Sequence, residues 1–460
     1  MKVRSYFKVL VFLSGAILLM RLETAARPNI IFILTDDQRY DAIGFSGNPY
    51  IQTPEMDRLA SEGTWFRKAF VTTPICAASR ASILTGMYER THGYTFQQPP
   101  LAPAYCQMMY PNVLKQNGYY TGFLGKLGVV MDHPEQYFDV ASFYDRSNFP
   151  DKRGYFYQTI DEDTVHLTAY TGYLARKFLD SLPPDKPFCL SLSFSAPHAH
   201  DPAREQYFWQ PASDRRYSET VFPLPECAAD SFFLKLPEEV RAGFNRERWY
   251  WRYDTPEKYQ HSMRGYYRMI GEIDDELGLI RKKLKEKKLE DNTVIILMGD
   301  NGYFTGERQL AGKWLMYEHS IHVPLIIFDP AHPLHAARDE MVLNIDVSKT
   351  ILQLAGVSAP DQYQGKNLIP LLGNESGNLK RKHILLEHLW DFKPIPSSEA
   401  IRTEEWKYMR FRQIVAPEEL YNLKTDPGET HNLAGDPDYQ KILKKLRKTC
   451  DREIAAKLLR

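Results

Sequence analysis

The sequence has few cysteines and no close pairs of them. Five are spread over 460 residues, at positions 76, 106, 189, 227 and 450. The number is odd and the spacings are wide, so no disulfide framework holds the chain; sequence alone does not say whether any one pair forms outside the cytoplasm. No Cys-x-x-Cys pattern indicates a zinc site. Charge of one sign is also lacking: 58 Lys and Arg balance 58 Asp and Glu, for a formal net charge of zero. No basic stripe suggests nucleic acid, and no long like-charge run suggests a solvated tail. The densest basic stretch, KKLKEKK at 282–288, is broken by Glu286 and reads as an exposed helix face. Internal repeats and low-complexity tracts are absent. What remains is an ordinary globular composition, 43% hydrophobic and 25% charged. The length allows one large core or two domains.

Residues 1–26 stand apart. Lys2, Arg4 and Lys8 precede the apolar run VLVFLSGAILLM, and small residues follow before Arg27. This is the plan of a secretory signal peptide, and the apolar run is short for a bilayer span. An uncleaved anchor is the other reading. No cysteine follows the run, which argues against a lipoprotein. Removing this segment takes away four basic residues and one acidic one, leaving a charge of about −3. The expected location is periplasmic or secreted, without stable membrane insertion after cleavage.

RPNIIFILTDDQRYDAIG (27–44) opens with a continuous apolar run and then two aspartates. Such a run reads as a strand buried on both faces, with Asp36 and Asp37 at its carboxyl end, where open α/β sheets place ligands. The pattern recurs in YYTGFLGK (119–126), PFCLSLSFSAPHAH (187–200) and NTVIILMGDNG (292–302). These strands lead to Lys126, His198, and Asp300 with Asn301. VPLIIFDP (323–330) is a further buried strand, and helical patterns cover 163–181, 263–288 and 346–356. The fold class is therefore α/β, a large mainly parallel sheet sandwiched by helices. After residue 372 the texture changes. HILLEHLW, SEAIRTEEWKYMRF and EELYNL read as short antiparallel strands, and a closing helix spans 437–458. Residues 373–460 are expected to form a smaller α+β domain beside a catalytic domain at 27–372.

Each of these polar groups alone has a plain explanation. Asp36 or Asp37 caps a helix; a lysine lies on the surface; a histidine is a satisfied structural group. Together, three carboxylates and an amide make a hard oxygen set, suited to Ca²⁺ or Mg²⁺ and not to zinc. Cys76, in TTPICAASRASILTG, is placed at the mouth of a helix, with Arg80 one turn on along the same face. A thiol so placed is acidified and reactive.

CAASRASILTG resembles the signature of the type I sulfatases, in which the cysteine is oxidised to Cα-formylglycine. NIIFILTDDQRYDAIG, GYYTGFLGK, SAPHAH, MGDNGYFTGERQLAGKW, VPLII and ELYNLKTDPGETHNLAGDP resemble further segments of that family, across residues 27–437. The resemblance implies an alkaline-phosphatase-like fold and a sulfuric ester hydrolase. It implies a Ca²⁺ held by Asp36, Asp37, Asp300, Asn301 and residue 76. It makes Arg80 the group that orients residue 76, Lys126 and Lys313 the sulfate ligands, and His198 a sulfate ligand or the acid for the leaving oxygen. One hydroxyl of the hydrated formylglycine attacks sulfur, and the second later expels sulfate. A formylglycine-generating maturation enzyme is implied as a partner. Three departures stand out. GKLG at 125–128 replaces the family's GKWH, so its second histidine is missing, with His133 the nearest stand-in. Arg308 follows Gly306 and Glu307 where relatives have histidine. Ala78 occupies a position that is Pro or Ala in the family, and the Ala form is associated with anaerobic radical maturation.

A signal peptide with this machinery suggests scavenging of sulfated carbohydrates, from glycosaminoglycans, mucins or algal polysaccharides, with exo action expected. His200, Arg308, His388 and Arg410 are candidate substrate contacts. So are Arg204, Arg215, Arg216 and Arg252 in the aromatic segment 201–262, and Trp390 in the C-terminal domain. Two rivals remain: a phosphate or phosphonate ester hydrolase of the same superfamily, and a catalytically silent sugar-binding homologue. No additional Asp/His pair for a second metal is evident, which favours sulfate over phosphate.

Overall fold

The computed structural model describes residues 27–96, 98–147, 154–201, 203–332, 336–373 and 377–458. The leader expected over residues 1–26 lies outside the described residues. Eight strands build the main sheet: β1 (Asn29–Thr35), β2 (Thr64–Phe66), β3 (Tyr120–Gly125), β4 (Val140–Phe143), β5 (Phe188–Ser193), β6 (Thr293–Gly299), β7 (Leu325–Phe328) and β8 (Ala336–Arg338). Their order is β8-β2-β7-β6-β1-β5-β3-β4. Strands β6, β1, β5, β3 and β4 run parallel to one another. The apolar run of 323–330 pairs antiparallel with β6, so the sheet is mixed at that side. The short strands β2, β4 and β8 lack long apolar runs, and the strand pattern sought in the sequence does not reach them.

The central strand β1 is buried along its whole length, so its side chains feed two cores. Ile30, Phe32 and Leu34 join Val294, Ile296 and Met298, under helices α1 (Cys76–Thr85) and α4 (Asn344–Leu354). Ile31 and Ile33 join Leu190, Leu192, Ile295 and Leu297, under helices α2 (Leu167–Asp180) and α3 (Pro256–Glu286). Two helix starts differ from the sequence expectation, and each has a cap that explains it. Asp163–His166 is a hairpin strand, and the His166 side chain accepts from Thr168 N to start α2. Helix α3 begins earlier than 263 because Thr255 caps Lys258 N and Pro256 occupies the first turn.

The register fixes the functional edge. Thr35 lies opposite Gly299, Leu34 opposite Ser193, and Gly125 opposite Ser193. The carboxyl ends of β1, β3, β5 and β6 are therefore level, and whatever follows them shares one rim.

The C-terminal sheet is antiparallel, in the order β9 (Ile384–His388), β10 (Ser398–Arg402), β11 (Trp406–Phe411) and β12 (Glu419–Asn422). Helix α5 (Gln440–Leu458) packs on it. Its core is shared: Leu386, Ala400, Tyr408, Leu420 and Leu446 cluster with Phe70, Tyr88, Phe304 and Tyr317. All five cysteines are buried and none is bridged. Among the described residues, no helix is long and apolar enough to cross a membrane.

One ion pair fastens the two sheets' connecting segment. Arg381 forms a fork on buried Asp346, at 2.7 and 2.8 Å, while Asp346 also accepts from the backbone N of Leu343 and Lys366. Removing the cation leaves a buried carboxylate with less compensation. Arg381→Ala is expected to lower unfolding free energy by about 3 kcal/mol. Urea denaturation measures this; a loss below about 1 kcal/mol would class the pair with exposed salt bridges.

Candidate active site

Three buried carboxylates meet on the rim. The chain turns sharply after β1: Asp37 takes a left-handed φ of 68°, which lets consecutive aspartates face one point. The turn is pinned by Asp36 N to Ala196 O at 3.1 Å, Asp37 N to Asp300 Oδ1 at 3.0 Å and Asp300 N to Thr35 O at 2.9 Å. Asn301 donates to Asp37 Oδ1 at 2.6 Å. Asp36 Oδ1, Asp37 Oδ2 and Asn301 Oδ1 are buried with no hydrogen-bond partner. Asp36, Asp37 and His198 also place potential ligand atoms within 4.8 Å of one another. Unpartnered buried oxygens are costly, and a hard divalent cation satisfies them. The donor chemistry therefore fits Ca²⁺ or Mg²⁺.

Four cations surround this acidic knot. Lys126 Nζ lies 2.5 Å from Asp36 Oδ2 and 3.3 Å from Asp145 Oδ2. Lys313 pairs with Asp37 and lies 3.8 Å from Asp36 Oδ1. Arg80 Nε donates to Asp300 Oδ2 at 2.8 Å, and its Nη1 donates to Lys126 O and Ser193 Oγ. Arg146 Nη1 is 3.6 Å from Asp36 Oδ2, and its Nη2 is 3.2 Å from His198 Nε2. Burial alone pushes these charged groups toward neutrality, and their partners reverse that where the balance allows. Burial raises Asp36, yet Lys126, His198, Lys313 and Arg80 hold it well below the usual carboxylate range. Asp300 is pushed up to about 6 by burial and by Asp36. Burial lowers Lys313, but Asp37, then Cys76 and Asp36, hold it above the ordinary lysine value. His198 lies well below its ordinary value through burial and the neighbouring Arg146.

Cys76 opens α1, the first residue of a helix whose Ile75 cap offers no side-chain acceptor. Its backbone N–H end faces the site and favours negative charge there. Burial lowers Arg80 and Lys126, and their acidic neighbours together with Cys76 hold both raised, so the thiol sits among Arg80, Lys126 and Lys313. Trp314 N donates to Pro74 O at 2.9 Å, which ties the Lys313 segment to the turn before Cys76. Gly125, at φ 108°, permits the exit to Lys126; a Cβ there would lie 2.0 Å from Ser193 O. His198 Nδ1 lies 2.5 Å from Ala199 O, an acceptor only, so Nδ1 carries the hydrogen and Nε2 the lone pair.

The rim thus unites nine of the residues singled out in the sequence: Asp36, Asp37, Cys76, Arg80, Lys126, His198, Asp300, Asn301 and Lys313. The proposed substrate contacts fare differently. Arg308 donates to the carbonyls of Gly428 and Glu429 and stacks over Tyr317, so it fastens the C-terminal segment. Arg410 is held by Glu399 and Asp451, bracing α5. His200 and His388 have no exposed surface; burial takes His388 down to about 4. Arg252 is buried against Asp201, Gln206 and Tyr303, and Arg216 pairs with Asp275 on α3. His133 is 83% exposed, paired only with Glu135, and takes no part in the rim. Sequence reasoning passed over Asp145 and Arg146, which follow the short edge strand β4. The strand-end rule finds them once β4 is known; its sequence, VASF, gives no continuous apolar signal.

The chain matches the sulfatase family over residues 28–357 and the C-terminal region of N-sulphoglucosamine sulphohydrolase over residues 306–456. It is 28% identical to an N-acetylglucosamine-6-O-sulfatase of Bacteroides thetaiotaomicron, covering 92% of this chain and 86% of that one. It is likewise 28% identical to an arylsulfatase of Clostridium perfringens, covering 93% and 94%. A solved structure in complex with its substrate D-glucosamine-2-N,6-O-disulfate superposes with a TM-score of 0.80 at 26% identity, over 94% of this chain and 98% of that one.

Ca²⁺ added to chelator-treated protein is expected to raise the thermal midpoint, by about 2.7 kcal/mol of stability at a hundredfold excess over its dissociation constant. Asp37→Ala should lose most of that shift. Scanning fluorimetry reads both, and an unchanged midpoint with either Ca²⁺ or Mg²⁺ would count against the cation site. With the rim, the fold and the family match in agreement, the chain belongs to the sulfatase family of the alkaline-phosphatase-like superfamily and is a sulfuric ester hydrolase.

Proposed function

We propose that this protein is an exported carbohydrate sulfatase that removes sulfate from a sulfated hexosamine at a chain end, using Ca²⁺ and a formylglycine formed from Cys76. The observation that carries the reading is the rim itself: three carboxylates and an amide oxygen with four cations around them, and Cys76 opening the helix that carries Arg80. The sugar class rests on the relatives, one an N-acetylglucosamine-6-O-sulfatase and one a structure with glucosamine disulfate.

Asp36, Asp37, Asp300 and Asn301 would hold the cation, which supplies fixed positive charge beside the sulfate oxygens. The hydrated formylglycine supplies the attacking hydroxyl and, through its second hydroxyl, the release of sulfate. The protein's own groups do the rest. Without a cation the carboxylates and the cations neutralise one another. With those carboxylates committed to the cation, Lys126 and Lys313 would be free to face an anion. Those lysines then bind sulfate oxygens and offset the charge that grows on the leaving oxygen. Arg80 is clamped through Nε and Nη1, and its buried Nη2, which has no hydrogen-bond partner, orients residue 76. His198 Nε2, as acceptor, takes up the proton released on attack and returns it to the leaving oxygen.

Two measurements test this. Mass spectrometry of the tryptic peptide Ala69–Arg80, from protein made in its native host, should show the aldehyde, trapped by a hydrazine reagent. Matched aryl sulfate and aryl phosphate, followed by glucosamine 6-sulfate, should show turnover of sulfate above phosphate, abolished in Cys76→Ala. A peptide that is wholly unmodified thiol, with sugar binding but no turnover, would favour the silent homologue; phosphate turned over faster than sulfate would favour the phosphoester hydrolase.

A further inference from the structure

The residue that follows the lysine strand where relatives carry a histidine is Gly128, where a side chain would be strained and would press on Arg80. Its φ is 68°, and a Cβ would lie 2.8 Å from Arg80 Cδ and 3.5 Å from Lys126 Cε. The rim nevertheless has a cation that the sequence pattern does not announce. Arg146 comes from the segment after β4, on the opposite side of Lys126 from β5. Its side chain is 17% exposed, against 2% for Arg80, 5% for Lys126, 6% for His198 and 2% for Lys313. It is thus the most exposed cation of the rim.

We propose that Arg146 is a substrate-binding residue, whose guanidinium holds the sulfate group at the mouth of the site; this rests on the sulfatase reading above. Three features carry it. The Asp36 contact, at 3.6 Å, is an ion pair too long for a hydrogen bond, and Asp36 Oδ2 is already taken by Lys126 at 2.5 Å. The Asp145 contact, at 3.2 Å, comes from the adjacent residue, whose side chain is 38% exposed. The His198 contact, at 3.2 Å, uses one nitrogen of a group with five N–H donors in a fixed fork. Such a fork matches two oxygens of a tetrahedral oxyanion. The site thereby grips sulfate from its outer side with a group that keeps its charge at every working pH, in place of a histidine on the lysine strand.

The test compares Arg146→Ala, Arg146→Lys and the parent protein, all with Ca²⁺. Two quantities are read: kcat/KM on an aryl sulfate, and the affinity for inorganic sulfate by calorimetry on unreacted protein. Thermal midpoint and aldehyde content of peptide Ala69–Arg80 are measured alongside. Arg146→Ala is expected to weaken sulfate binding and kcat/KM roughly 10- to 100-fold, the range of a hydrogen bond to a charged group. Midpoint and aldehyde content should hold. Arg146→Lys should recover part of the loss, and guanidinium ion at about 10 mM should partly rescue Arg146→Ala by occupying the vacated fork. Unchanged sulfate affinity and kcat/KM in a folded Arg146→Ala would overturn the proposal while leaving the sulfatase reading standing. A parent protein inert on every sulfate ester, yet losing sulfate affinity on Arg146→Ala, would support the residue's role and overturn the wider reading. Loss of activity with a collapsed midpoint in both variants, and no rescue by guanidinium, would make Arg146 structural and also overturn it.

Discussion

Burying charge on a sheet edge is the constraint around which the rest of this molecule is arranged. Asp36, Asp37 and Asp300 are each 0–1% exposed. In such surroundings an uncompensated carboxylate is expensive enough to neutralise itself by taking a proton. The chain instead brings cations from distant parts of its length: Arg80 from the first turns of α1, Lys126 from the end of β3, Arg146 from beyond β4, and Lys313 from the hairpin after β6. The glycine turn at 125 leads into Lys126, and the Trp314–Pro74 hydrogen bond ties down the Lys313 segment. The same balance makes the rim responsive. Acidic and basic groups nearly cancel, so whatever engages the carboxylates would leave the cations free for an anion.

The parallel strands were legible because strands covered on both faces lose their alternation and become apolar runs. NIIFILT and TVIILMG are of this kind, and the residues after them are on the rim. Strands β2, β4 and β8, at or near the edges, carry only three or four residues each, and pairing with neighbours defines them more than their own composition. Arg146 was hidden for that reason. The antiparallel direction of β7 was equally out of reach, since a buried run looks the same in both directions. The rim residues carried distinctive short motifs; the proposed substrate contacts did not. Arg308, Arg410, Arg252, His200 and His388 are ordinary arginines and histidines, and chain folding decides whether such groups meet solvent, a carbonyl or a carboxylate.

The C-terminal sheet belongs to the same argument. Its apolar face shares a cluster with Phe70, Tyr88, Phe304 and Tyr317 of the main body, and Arg308, Lys407 and Arg402 are tied to carboxylates and carbonyls across that junction. Phe96, Trp390 and Phe392 pack together beside Ile75 and Ala78, which flank Cys76 in sequence. An aromatic wall built by both parts thus stands next to the helix mouth.

Cys76 is only 7% exposed and lies within a helix whose ten residues are all buried. An enzyme that acts on a side chain needs the surrounding backbone extended within its own cleft, and a helix packed between a sheet and α4 cannot supply that. Any maturation of this thiol must therefore precede completion of the fold. If the thiol is modified, the modification would then be a matter of timing: a chain that closes around an unaltered cysteine would stay unaltered, and the proportion of altered molecules would be settled before folding ends.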